Sequence, residues 1–332
     1  MFTKKISLNK FFRTTLLVLT YGILGCTNQT INTAYNQTTT IKKIDPNLPQ
    51  VVATTSVICD LTQQIAGETI QLTCLIPPQQ ESRSYQPQPQ DKQAISQANL
   101  ILYHGYNFEP SLIKTIQANK KPIPKIAVAQ IAVPNPQKLK QGNRTIIEPH
   151  IWHNPKNTIK MVEVINTNLK KIAPKNSQLY TNNTKNITNE LNQLDQWIRA
   201  RLASIPAKNR NFAITEEAML YYAKAYKLPY TSILMGINNQ QNLNTTRVKN
   251  LAQNIQKSKI RTIFIDTKTN PDIFAPIAEA ANITIFSRKL YLHGLDTPEN
   301  NAETYQKMMT TNTRIIVEGL GGTYLKFTPK TQ

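Results

Sequence analysis

The chain has 332 residues, with 39 lysines and arginines against 19 aspartates and glutamates, a formal net charge of +20, ten glycines and three cysteines. An excess of this size often marks a nucleic-acid binder, but here the lysines are scattered among Asn, Gln and Thr without a clustered stripe or interleaved aromatics, so nucleic acid is excluded as a partner. Ten glycines offer no glycine-rich phosphate loop, no serine stands in a nucleophile elbow, and no helical metalloprotease motif is present, so an enzyme is not expected.

The first 25 residues read as an export signal. Lys4, Lys5, Lys10 and Arg13 make a basic start, Leu16, Leu17, Val18 and Leu19 lie in an apolar stretch too short to span a bilayer, and Ile23, Leu24, Gly25 and Cys26 close it. That ending resembles a bacterial lipobox, in which Cys26 becomes the acylated first residue and membrane lipid holds the chain. Cleavage removes four of the basic residues and none of the acidic ones, leaving a charge of +16. Such a surface is attracted to an anionic membrane or cell wall. The expected location is outside the cytoplasm, facing the periplasm or the cell exterior.

Residues 26–48 lack apolar periodicity and are rich in Asn, Gln and Thr, as a polar tether is. From residue 49, strand-like runs alternate with helical ones. Val51 to Thr55 precedes Val57 to Ala66, Ile70 to Ile76 precedes Lys92 to Ala98, Leu100 to Tyr103 precedes Ser111 to Ala118, and Ile126 to Val128 follows. A helix from Asn157 to Ile172 is stopped by Pro174. Short strands separated by helices predict a parallel sheet covered on both faces. Tyr180, Ile187, Leu191, Leu194, Ile198 and Leu202 then recur at helical spacing, predicting one helix over about 177–204, roughly 40 Å long.

A second alternating series runs from Phe212 to Thr215 through helix Met219 to Tyr226, strand Tyr230 to Leu234, helix Thr246 to Gln256 and strand Thr262 to Asp266. Helix Ile273 to Ala281, strand Ile283 to Phe286 and helix Ala302 to Thr311 complete it. The predicted fold is α/β, two lobes each with a parallel β-sheet flanked by helices, joined by one long rigid α-helix. The boundaries are 49–175 for the first lobe, 176–206 for the connecting helix, 207–322 for the second lobe and 323–332 for a basic tail with no assigned role. Cys59 and Cys74 occupy a compartment that permits a disulfide, and two buried free thiols fit the sequence equally.

Ligands of such sheets sit at strand ends. His150 lies in the run Glu148, Pro149, His150, Ile151, Trp152, His153, Asn154, Pro155 just before a helix; Glu216 ends a strand; His293 follows one. Together they supply imidazole and carboxylate donors from both lobes, the set a divalent transition metal takes.

The segment Leu100 to Glu109, the Pro149 to Asn157 run, Glu216 with Tyr221 and Tyr222, Thr262 to Asp266, Leu290 to Leu295 and Val317 to Leu320 together resemble the metal-binding lipoproteins of bacterial manganese and zinc ABC transporters (cluster A-I). The resemblance runs from about Val51 to Leu320. It implies a metal bound in the cleft between the lobes and handed to a membrane permease. Of the family's manganese-type ligands, two histidines, a glutamate and an aspartate, His150 falls on the second histidine and Glu216 on the glutamate. His293 stands at the aspartate's place, which favours Zn2+ over Mn2+. Arg83 stands at the first histidine's place and cannot ligate. Either Arg83 pairs with Glu216 in place of the ion, or Glu81, Glu148 or His153 supplies the missing donor. The competing reading is a degenerate member in which tight metal binding is lost, acting as a surface adhesion or interaction lipoprotein.

Overall fold

The computed structural model describes residues 47–141, 144–215, 217–231 and 243–330. Cys26 and Glu216 lie outside the described residues. The first lobe is built on β1 (Gln50–Ala53), β2 (Gln71–Cys74), β3 (Leu100–Tyr103) and β4 (Lys125–Ala127), all parallel in the order β2-β1-β3-β4. The central strands β1 and β3 read as near-continuous apolar runs because helices cover both faces. Between the strands run α1 (Ser56–Ala66), α2 (Pro89–Gln97) and α3 (Pro110–Ala118), and α4 (Val128–Ala132) follows β4. The Thr55 hydroxyl accepts from the Ile58 N–H to open α1, and Gly67, at φ +57°, closes it.

The second lobe repeats the plan. Strands β7 (Phe212–Ile214), β8 (Tyr230–Thr231), β9 (Thr262–Phe264) and β10 (Thr284–Ile285) form a parallel sheet in the order β10-β9-β7-β8. Helices α7 (Leu220–Tyr226), α8 (Thr245–Lys257), α9 (Ala275–Ala281) and α10 (Tyr305–Gly319) accompany it. Beyond Thr231 the predicted strand toward Leu234 lies outside the described residues.

Helix α5 (Pro155–Ile172) starts where Asn154 caps the Lys156 N–H, with Pro155 in the first turn. It leads through a 3-10 turn into α6 (Ser177–Ala203), 27 residues and so roughly 40 Å long. The first half of α6 is tied to the first lobe, Tyr180 to the Thr69 hydroxyl at 2.7 Å and the Asn183 amide to the Ile65 carbonyl at 2.9 Å. Its second half belongs to the second lobe, where Tyr226 donates to Asp195 at 3.0 Å. The apolar stripe of α6 enters one core that runs from Val51 to Leu320 and takes in Trp152, Tyr222 and Tyr305. The lobes also touch directly. Tyr305 donates from its hydroxyl to the Trp152 carbonyl at 2.7 Å, and Leu295 N–H donates to the Ser56 hydroxyl at 2.9 Å.

Several elements differ from the sequence reading. The last helix runs to Gly319 rather than ending at Thr311, because packing buries Asn312, Thr313, Ile315, Ile316 and Val317, whose local preferences argue weakly for helix. An antiparallel hairpin of β5 (Lys138–Gln141) and β6 (Arg144–Ile147) was not legible. Cys59 and Cys74 form a disulfide with Cα atoms 5.7 Å apart, joining α1 to the end of β2. The C-terminal segment straps α6: Trp197 donates to the Leu325 carbonyl at 3.0 Å, meets Tyr324 edge-on and packs against a tilted Phe327 ring. No helix among the described residues is long and apolar enough to cross a membrane.

Glu109 ties the ends of β1 and β3 together, its Oε1 accepting from the Thr54 hydroxyl at 2.8 Å and the His104 N–H at 2.6 Å. Burial pushes this carboxyl up to about 7, outweighing those hydrogen bonds. A raised carboxyl contributes stability that is full below its ordinary 4.5 and is lost as pH rises through about 7. Urea titrations of wild type and Glu109→Gln between pH 4.5 and 8 should therefore show wild type losing on the order of 3 kcal/mol relative to the variant. A pH-independent difference would contradict the placement of this carboxyl.

Candidate metal centre

Two histidines from opposite lobes meet in the cleft. His150 enters from the first lobe, between β6 and the 3-10 turn Ile151–His153, and His293 from the segment of the second lobe that follows the bridge between Asp266 and Leu290. His150 Nε2 lies 3.3 Å from His293 Nδ1. The His150 ring is held edge-on by Phe108 and Trp152, with ring centres 5.3 and 5.1 Å away. The neighbouring Gly294 permits the approach, since a Cβ there would stand 2.7 Å from the Ser56 hydroxyl.

Each ring has a carboxylate at its far side. Glu148 Oε1 is 2.5 Å from His150 Nδ1 and also accepts the His150 backbone N–H at 2.8 Å. Asp266 Oδ2 is 3.6 Å from His293 Nε2. Glu148, at hydrogen-bond distance, draws the His150 ring proton to Nδ1 and leaves Nε2 as a lone pair, whereas Asp266 at 3.6 Å acts on His293 Nε2 through its charge. The remaining nitrogens, His150 Nε2 and His293 Nδ1, face one another. At that distance the two nitrogens can share one proton, donated from His293 Nδ1 to His150 Nε2, or hold a metal ion between them.

The electrostatics favour a neutral His150 ring. Burial, reinforced by the charges of His293 and Arg83, holds His150 well below its ordinary 6.5. Burial pushes Glu148 up to about 7 despite the hydrogen bond from His150. Burial alone would raise Asp266 and Glu81 as well, but His293 holds Asp266 below the usual carboxylate range, and His293 with Lys268 does the same for Glu81.

Of the three substitute donors read from the sequence, only Glu81 faces the histidine pair, its Oε2 lying 3.8 Å from His293 Nδ1. Glu148 faces Nδ1 of His150 through Oε1. His153 is fully buried and points its Nε2 at the Leu292 carbonyl, 2.8 Å away, where it pins the His293 segment to the first lobe. Arg83 is exposed, and its backbone N–H donates to Glu81 Oε1 at 3.3 Å. The pairing of Arg83 with Glu216 involves a residue outside the described ones. Among the described residues no three His, Cys, Asp or Glu side chains have the geometry of a complete ion site. The sequence reading missed Asp266 as a site residue; the available signal was a carboxylate at the C-terminal end of a parallel strand.

A family model described as the periplasmic component A of zinc-uptake complexes (ZnuA) matches residues 51–319. The chain belongs to this family. It is accordingly a periplasmic metal-binding component of an ABC importer and not an enzyme. Similar proteins include the metal ABC transporter substrate-binding lipoprotein ScbA of Streptococcus cristatus, 28% identical over 314 residues, covering 93% of this chain and 98% of that protein. The manganese ABC transporter substrate-binding lipoprotein PsaA of Streptococcus pneumoniae is 28% identical over 311 residues, covering 92% and 96%. Among solved structures, the periplasmic zinc binding protein TroA from Treponema pallidum superposes with a TM-score of 0.72 at 23% identity, covering 82% of this chain and 99% of that one. A manganese-bound periplasmic metal binding protein from Candidatus Liberibacter asiaticus gives 0.71 at 24%, with the same coverage. These structures share the two-lobed fold, and the family binds a divalent transition metal.

The tautomer assignment is testable without metal. Nitrogen-15 spectra of histidine-labelled protein at pH 7.5 should show His150 neutral with its proton on Nδ1, and Glu148→Gln should disturb that assignment. A His150 ring that titrates near 6.5, or carries its proton on Nε2, would contradict it.

Proposed function

We propose that this chain carries one divalent transition metal ion between His150 Nε2 and His293 Nδ1, with Glu81 and Glu216 as carboxylate donors, and delivers it to a membrane permease. The observation that supports this reading is the 3.3 Å separation of the two nitrogens. An ion about 2.05 Å from each nitrogen would see them at roughly 107°, close to the tetrahedral angle that zinc prefers. Two imidazoles also make a softer set than the oxygen-rich sites that suit manganese, so the preferred ion is zinc. Arg83, exposed to solvent, has its repulsion of the ion screened by water and salt. Glu148 and Asp266 act behind the histidines, orienting each ring and raising its basicity.

Zinc should therefore bind the chelator-stripped protein at least tenfold more tightly than manganese in a calorimetric titration. His150→Ala and His293→Ala should each abolish tight binding. Asp266→Asn and Glu148→Gln should weaken it by roughly 10- to 100-fold. Arg83→Ala should change it by less than about tenfold, given the screening. Manganese bound more tightly than zinc would overturn the preference, and binding indifferent to both histidine changes would overturn the site.

The mature chain is anchored through acylated Cys26, which lies outside the described residues. One lipidated cysteine followed by a polar tether leaves no other apolar attachment in the sequence. Cys26→Ala should move the protein from the membrane fraction to the soluble one, and unchanged retention would contradict lipid anchoring at this residue.

A further inference from the structure

The mouth of the cleft holds a cation of the protein's own. Lys268 Nζ lies 3.3 Å from Glu81 Oε2, the same oxygen that faces His293 Nδ1 at 3.8 Å. Glu81 comes from the first lobe and Lys268 from the second, so this ion pair crosses the opening. Its position is set from within the site. Asp266, whose Oδ2 faces His293, uses Oδ1 to accept the backbone N–H groups of Lys268 and Thr269, both at 2.6 Å. One carboxylate thus orients the histidine and presents the lysine.

The pair is also placed to open. The side chains of Lys268 and Glu81 are each about a third exposed, at 31% and 30%. Lys268 borders a small void beside His293 and two larger cavities, one on either side. The cavity on the second-lobe side, about 600 Å³, is rimmed by Arg288, Lys289 and Arg314 against one carboxylate, Asp296, so positive charge predominates there. The cavity on the first-lobe side, about 700 Å³, is lined by five glutamines, Glu81 and Asp91, with Lys268 its one cation.

We propose that Lys268 is a built-in competitor for the transported ion. Its ammonium holds Glu81 across the cleft mouth, must give that carboxylate up when a metal ion enters, and swings toward the Asp91 side as it does so. When the ion leaves, the lysine reclaims Glu81. Competition of this kind lowers affinity and speeds release, which a carrier that must discharge to a permease requires. The inference rests on the metal-site reading above and names what regulates that site.

The test compares Lys268→Met, which keeps the length and removes the charge, with Lys268→Arg, which keeps the charge. Zinc affinity is measured by chelator competition, and dissociation by stopped flow into excess chelator. Lys268→Met should bind zinc ten- to a hundredfold more tightly, mainly through slower dissociation, while Lys268→Arg stays within a few-fold of wild type. Unchanged or weakened binding in Lys268→Met, with His150→Ala still abolishing it, would overturn the competitor and leave the metal site standing. Zinc binding indifferent to His150→Ala and His293→Ala would remove the site itself, and the competitor with it.

Discussion

Everything in the cleft depends on two histidine–carboxylate pairs. An imidazole has two nitrogens, and which one faces a ligand is decided by what the other one holds. Glu148 takes Nδ1 of His150 and Asp266 faces Nε2 of His293, so opposite nitrogens of the two rings are turned toward each other. Without those carboxylates the rings could rotate or exchange tautomers, and a 3.3 Å contact would be an accident of packing. With them, His150 Nε2 is held as an acceptor facing His293, ready for a proton or a cation.

The rest of the fold keeps that contact in register. Each histidine belongs to a different lobe, so its partner's position depends on how the lobes are joined. A 27-residue helix fixed at both ends makes a stiff spine, and a continuous core passes through it. Nearer the site, His153 on the Leu292 carbonyl and Tyr305 on the Trp152 carbonyl clamp the lobes beside the cleft. A small change at these joints alters the nitrogen separation directly. The site is therefore a property of the interface between the lobes, and small rearrangements around it, such as exchange of the Glu81 carboxylate, are more economical than wide opening.

Much of this was legible in the sequence. Buried parallel strands are unbroken apolar runs, and a helix with a 3.6-residue apolar stripe declares itself, so both sheets and the long helix could be read directly. Tertiary packing settled what local preference could not. The last helix continues through Asn312 and Thr313 because both are buried, and the hairpin at Lys138 to Ile147 pairs only four residues per strand, the lower limit for a legible alternation. In the site, residue type pointed to His150 and His293, but type cannot tell a ligand from its supporting partner. Glu148 and His153 read as donors, and the structure places them against His150 Nδ1 and the Leu292 carbonyl, whereas Asp266 read as the end of a strand and stands behind His293. Arg83, the apparent obstacle, is exposed; nothing in its neighbours in sequence announced that.

The central claim is that the two rings bind an ion through particular nitrogens. An anomalous difference map from crystals grown with zinc tests it directly. The account predicts one peak at roughly 2.0–2.1 Å from both His150 Nε2 and His293 Nδ1, with carboxylate oxygen completing the shell. A peak elsewhere, or an ion held through His150 Nδ1, would contradict it.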